Sequence, residues 1–255
     1  MAGIKSQTFV YAGGGKVTAT LLSLNVVVFV ALHLCVWCGV DARDAVYAVT
    51  LPTTVGEILS RPWTPLSYMF VHWDVLHLIV NMLWLVCFGR ILARTRLTRQ
   101  VLPIYLCGGF GGAIAFVTTA TLHGGFGILA GASAAVMGII CAAAVLRPRT
   151  RLSLMLFGEV NLYVIAIAVI ALYIIAEIAT LPTCIAHAGG AAGGAAFALV
   201  YKALHHRAPR SHTDNDDADI ETQLDKILDK VRRGGYGSLS SYERRRLFEL
   251  SKKLK

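Results

Sequence analysis

Ser133, in Gly131-Ala132-Ser133-Ala134-Ala135-Val136-Met137-Gly138, and His187, in Ala186-His187-Ala188-Gly189-Gly190, each stand at the start of a strongly apolar stretch flanked by small residues. A serine hydroxyl becomes a useful nucleophile when a base removes its proton, and an imidazole within hydrogen-bond reach can do so. Ionisable groups at membrane depth are costly and mark function, while small neighbours let helices approach until two such side chains touch. Gly190, Ala191, Gly194 and Ala198 share a helix face with His187, and Ala134, Gly138 and Ala142 offer a matching strip after Ser133. A serine at a helix start also has backbone N–H donors and the positive dipole end where an oxyanion would form.

Taken singly, a helix cap at Ser133 and an interfacial histidine at His187 are the plainer readings. His77 and Asn81 weigh against them. They lie at i and i+4 within an otherwise apolar run, a spacing suited to holding an oxyanion from one helix face. Interhelical hydrogen bonding is their ordinary use. Asp74, three residues before His77, is placed to cap that helix and, with His72, to order the loop ahead of it.

The elements that must carry these residues follow from composition. Hydrophobic residues make up 56% of the chain and charged ones 15%, with a mean hydropathy of +0.61; this is a membrane protein by composition. Apolar runs near residues 17–37, 66–88, 102–122, 131–146, 161–180 and 184–204 are mostly of the length, about 20 residues, that spans a bilayer. They predict an all-α bundle of six transmembrane helices. The fourth, the shortest, is expected to begin inside a polar cavity below the membrane surface. The first run lacks a small-residue cleavage site and is read as a retained helix, with the mature chain starting near Met1.

Lys and Arg accumulate on cytoplasmic loops. One set of run ends carries Lys5, Lys16, Arg90, Arg94, Arg96, Arg99, Arg147, Arg149, Arg151, Lys202, Arg207 and Arg210, against Arg43 and Arg61 on the other. Both termini are therefore expected in the cytoplasm, and the Ser133 and His187 ends of the fourth and sixth runs on the opposite side at similar depth. This topology also accounts for the net charge of +9 without a nucleic-acid partner, since the basic residues form no single stripe. The long loop 41–65 is apolar enough to be structured at the outer interface, with Trp63, Tyr68 and Trp73 as an aromatic belt. The cysteines read as small hydrophobes, and Cys35-Val36-Trp37-Cys38 lacks the strand and helix context of a redox motif.

Three parts are expected: a membrane domain over 1–206, a flexible polar linker over 207–219 and a cytoplasmic helical hairpin over 220–255. In the last, Ile220, Leu224, Ile227, Leu228 and Val231 recur at helical spacing, Gly234 and Gly235 stop the pattern, and Ser240 with Glu243 fits a capping box. Too short to build much of a core, this hairpin must pack weakly on itself, self-associate or dock on a partner.

Together these residues resemble the rhomboid family of intramembrane serine proteases over residues 63–204. The family's His-x-x-x-Asn motif is matched by His77 and Asn81, its Gly-x-Ser-Gly motif by Gly131-Ala132-Ser133, and its Ala-His-x-x-Gly motif by Ala186, His187 and Gly190. The resemblance implies a six-helix rhomboid fold in a bacterial inner membrane, with Ser133 as nucleophile and His187 as general base. His77, Asn81 and the Ser133 amide would form the oxyanion hole. It implies a Ser–His dyad with no cofactor or metal, so that Glu177, near the outer end of the fifth helix, reads as interfacial; Glu159 is expected at the cytoplasmic edge. The partners would be the lipid bilayer and transmembrane protein substrates, and the tail looks like the helical extension of some bacterial rhomboids. There are two departures. Ala134 stands for the usual Gly, with a methyl that could crowd the approach to the sixth helix although Ala is still among the small residues such packing tolerates, and Met137 stands where an aromatic ring often faces the catalytic histidine. The alternative reading is a catalytically inactive rhomboid-like protein that binds membrane clients. A transporter or channel is disfavoured for want of an inverted repeat, and a zinc protease for want of His-Glu-x-x-His.

Overall fold

The computed structural model describes residues 15–93, 97–124, 127–148, 150–154, 158–176, 180–205, 227–231 and 234–253. The chain divides into two compact units, Met1–Lys202 and Ala203–Lys255. In the first, α1 is Lys16–Trp37, and the following loop folds into three short helices, α2 (Ala42–Tyr47), α3 (Val55–Ser60) and α4 (Thr64–Ser67). Next come α5 (Val75–Ala93), α6 (Val101–His123), α7 (Ser133–Leu146), α8 (Leu162–Ala176) and α9 (Leu181–His205). Lys16–Trp37, Val75–Ala93, Thr98–His123 and Leu181–His205 are long and apolar enough to cross a membrane, whereas Ser133–Leu146 and Leu162–Tyr173 are shorter apolar helices.

Two helix starts differ from the sequence expectation, each for a local reason. The run predicted over 66–88 becomes helical only at Val75, because Thr64–Ser67 and a 3-10 turn over Tyr68–Phe70 are followed by extended backbone. Asp74 then caps α5 by accepting the His77 N–H at 2.9 Å. The helix predicted to open at residue 184 opens at Leu181 with Pro182 in its first turn, where proline is tolerated, so His187 lies in the second turn. Two strands not anticipated from the sequence, Arg151–Leu154 and Gly158–Asn161, pair antiparallel between α7 and α8.

Helix α7 is the hub. Ten of its 14 residues, including the first eight, are buried, and it packs against α5, α6 and α8. Enclosed by protein, it can be shorter than a lipid-facing span. Glycines allow the tightest contacts. Gly108 of α6 lies against the Gly138 backbone of α7, Gly190 and Gly194 of α9 lie against the carbonyl oxygens of Ala134 and Gly138, and Gly111 of α6 against that of Gly189. The α7–α9 strip read from the sequence is thus present, and α6 is its unforeseen third member.

The segment between α1 and α5 is tied down by its own polar groups. Trp63 Nε1 donates to the Ala48 carbonyl at 2.8 Å, Ser67 Oγ to that of Val49 at 2.7 Å, and the Tyr47 hydroxyl to Glu57 Oε1 at 2.6 Å. Leu51–Pro52 pairs antiparallel with Ile128–Leu129, just ahead of α7. Tyr68 donates to the Gly109 carbonyl at 2.6 Å and Tyr105 to the Met69 carbonyl at 2.7 Å, clamping this segment onto α6.

In the second unit, residues 227–231 are helical, a 3-10 turn covers Tyr236–Ser238, and α10 is Ser241–Lys253. Ser240 N–H donates to Glu243 Oε2 at 2.7 Å and Glu243 N–H to Ser240 Oγ at 3.2 Å, the reciprocal bonds of a capping box. Among its described residues, Ile227 and Leu239 form a small buried apolar cluster.

The close approach of α9 to α7 makes a measurable demand. Gly194→Ala should lower unfolding stability in detergent by about 1–3 kcal/mol, the usual effect of overpacking. Gly56→Ala, where nothing lies within 4 Å, should leave it unchanged or slightly raised; thermal or denaturant unfolding of both variants checks this.

Candidate active site

Ser133 is the first residue of α7; Ala132 is the N-cap and makes no side-chain capping bond. The serine hydroxyl is therefore free of the capping role and turns across to α9, where it lies 2.9 Å from His187 Nε2. With the imidazole neutral at Nε2, the hydroxyl donates and the ring accepts. Both residues are buried, at 4% and 3% exposure. Fifty-four residues apart in sequence, they meet because α7 and α9 touch backbone to backbone one turn further on.

Of the two outcomes the sequence left open for the Ala134 methyl, crowding of α9 or tolerance, the structure shows tolerance. The methyl points at Gly112 of α6, which has no side chain to collide with it, while the nearest atoms of Ala134 to Gly190 of α9 are its backbone Cα, carbonyl carbon and carbonyl oxygen. The hydrogen bond between Ser133 and His187 forms with the methyl in place.

The turn leading into Ser133 is held from three sides. Gly131 has φ +115, a conformation L side chains rarely adopt, and a Cβ there would come within 2.8 Å of His77 Cε1. Its N–H donates to the Tyr68 carbonyl at 3.0 Å. The next N–H, of Ala132, donates to His72 Nε2 at 3.3 Å. His72 is fully buried and meets His77 edge to face with ring centroids 5.1 Å apart. Burial, and then the neighbouring His77, push the His72 pKa down to about 4, so the ring stays a neutral acceptor. Sequence reasoning gave His72 a part in ordering the loop ahead of α5 but not as the holder of Ala132; its signal was a histidine five residues ahead of His77.

The two other predicted residues fare differently. His77 packs against Gly131, two residues before the serine. Asn81 is fully buried one turn along the same helix face, and its Nδ2 donates to the His77 carbonyl at 2.9 Å. That bond uses one of its two amide N–H groups. At the start of α7, helix geometry leaves the N–H groups of Ser133, Ala134 and Ala135 without carbonyls four residues back to bond, a donor array beside the hydroxyl. A nucleophile, a base in contact with it and fixed donors at a helix start are the parts acyl transfer requires.

One neighbour escaped the sequence reading: Tyr173 of α8 lies edge-on to His187, centroids 5.5 Å apart at an interplanar angle of 79°. Glu159 pairs with Arg151 at 3.5 Å, and Glu177 lies outside the described residues. Among the described residues no group of three or more His, Cys, Asp or Glu could hold a metal ion.

Comparison with known families gives two matches. The model of the Rhomboid domain matches residues 59–203, and that of a family of unknown function, DUF6576, matches residues 215–253. No curated protein matches the chain.

Two outcomes are expected from this geometry. Gly112→Ala should destabilise the protein by colliding with the Ala134 methyl, and adding Ala134→Gly should recover part of the loss, with a coupling energy of about 1–2 kcal/mol in a double-mutant cycle. His72 favours folding when neutral, because its folded pKa lies below the unfolded value of about 6.5. Its contribution, on the order of 3 kcal/mol, is full above that unfolded value and is lost as pH falls toward 4. Melting temperature should fall over this window, and less steeply in His72→Gln.

Proposed function

The chain belongs to the rhomboid family, and from that premise we propose that it is a serine protease hydrolysing peptide bonds in or near transmembrane segments of other membrane proteins. It is an integral membrane protein, by its apolar helices and family. In this reading α1, α5, α6, α7, α8 and α9 are six membrane helices. The termini face the cytoplasm of a bacterial cell, by the Lys and Arg bias, and the Ser133 and His187 ends of α7 and α9 face the other side. A substrate segment comes in sideways near α5 and α8 and unwinds, since an intact helix hides its carbonyl carbons.

The observation that carries the proposal is the buried 2.9 Å hydrogen bond between Ser133 and His187. His187 Nε2 takes the hydroxyl proton as Ser133 Oγ attacks the scissile carbonyl. The carbonyl oxygen becomes an oxyanion that accepts a hydrogen bond from the Ser133 N–H, with His77 and Asn81 as further donors. His187 then gives its proton to the leaving amine, releasing one product and leaving an acyl ester on Ser133. A water molecule, deprotonated by the same imidazole, attacks the ester; the ester C–O bond breaks, His187 returns the proton to Ser133 Oγ, and the second product leaves as an acid. The seating of the Ala134 methyl at Gly112 supports an active enzyme over a silent client-binding relative.

The full-length protein in lipid vesicles should be labelled by a fluorophosphonate probe and should cut a transmembrane reporter. Ser133→Ala and His187→Ala should each abolish labelling and lower cleavage by at least about a thousandfold. His77→Ala and Asn81→Ala should lower kcat by about ten- to a thousandfold. Absence of labelling in the unaltered chain would favour the client-binding reading, and ion flux surviving Ser133→Ala a transporter.

A further inference from the structure

His187 is an imidazole with two side-chain torsions on a helix that supplies little to hold it. One turn away on α9 stand Thr183, Cys184, Gly190 and Ala191, all small. The hydrogen bond to Ser133 restrains one ring nitrogen, and a ring packed against the imidazole restrains its plane as well. On α7, the residue one turn after Ser133 is Met137, fully buried but an unbranched thioether that adapts its shape.

The rigid surface comes from a third helix. Along α8, Leu162, Ala166 and Val169 are buried, and the same helical stripe continues to Tyr173, which packs against the core cluster. The docking of α8 on α7 therefore carries the phenol ring to His187, edge to face, with centroids 5.5 Å apart and the planes at 79°. This is a favoured aromatic arrangement. The phenol oxygen is buried and has no hydrogen-bond partner among the described residues, so the ring, not the hydroxyl, makes the contact.

We propose that Tyr173 is a positioning residue that holds the His187 imidazole in the plane from which Nε2 receives the Ser133 proton, an assignment that rests on the dyad reading above. The orientation of the base then depends on a helix that carries neither member of the dyad.

The test uses the full-length protein in lipid vesicles, with kcat and KM for a transmembrane reporter, the rate of fluorophosphonate labelling and the melting temperature measured for each variant. Tyr173→Phe keeps the ring and should hold kcat and the labelling rate within about threefold. Tyr173→Leu and Tyr173→Met fill similar space without a ring; each should lower both rates about ten- to a hundredfold, with KM within about threefold. Either ringless variant, folded and as fast as the unaltered enzyme, would overturn the assignment while leaving the dyad reading intact. So would a folded Tyr173→Phe that has lost activity. Failure of the unaltered chain to show labelling or cleavage that depends on Ser133 would instead overturn the dyad reading, and this assignment with it.

Discussion

The approach of α9 to α7 until glycines meet carbonyl oxygens is the constraint on which the rest depends. At Gly190 and Gly194 there is no room for a methyl between the two backbones. Only at that separation can the short side chain of Ser133 reach an imidazole on the next helix. Lipid offers no hydrophobic driving force for helix association, so such contacts rely on close van der Waals packing and interhelical hydrogen bonds. Here both act at the same place: bare backbones let the helices close, and the serine–histidine bond forms where they do.

Ala134 illustrates how local this bookkeeping is. A methyl beside the serine could open the helix contact if it faced α9, yet the turn of α7 aims it at α6. There Gly112 leaves space. Three helices share the small-residue junction, and the tolerance for one extra carbon lies on the helix that carries no part of the dyad. The same junction encloses α7, which explains how a helix of 14 residues can serve as the centre of the bundle.

The lead-in to Ser133 depends on a second set of contacts, all made by the region before α5 and its first turns. Tyr68 accepts the Gly131 N–H, His72 accepts the Ala132 N–H and His77 covers the bare face of Gly131. The pairing of Leu51–Pro52 with Ile128–Leu129 adds a strand contact upstream. A residue with a side chain at 131 would meet both a strained φ and the His77 ring. Fixing Ser133 through backbone contacts before substrate arrives is what its proposed role as a nucleophile requires, because transition-state stabilisation depends on preorganised groups. A neutral, buried His72 suits that role because it can accept a hydrogen bond without bringing charge beneath the surface.

Much of this was legible in the chain. Helix periodicity and composition identified the apolar elements, because bilayer thickness sets their length and backbone satisfaction demands helices. The spacing of Gly190, Gly194 and Ala198 after His187 marked the contact face, since residues three and four apart share a helix side. Ser240 with Glu243, and Asp74 ahead of His77, announced their capping bonds for similarly local reasons. What spacing could not supply was partnership between elements distant in the chain. That Gly112 receives the Ala134 methyl, that His72 holds Ala132, and that Tyr173 rather than Met137 brings a ring to His187 each depend on how separate helices rotate and dock. A one-dimensional pattern states which face of a helix is bare or apolar; only packing in three dimensions determines which other face it meets.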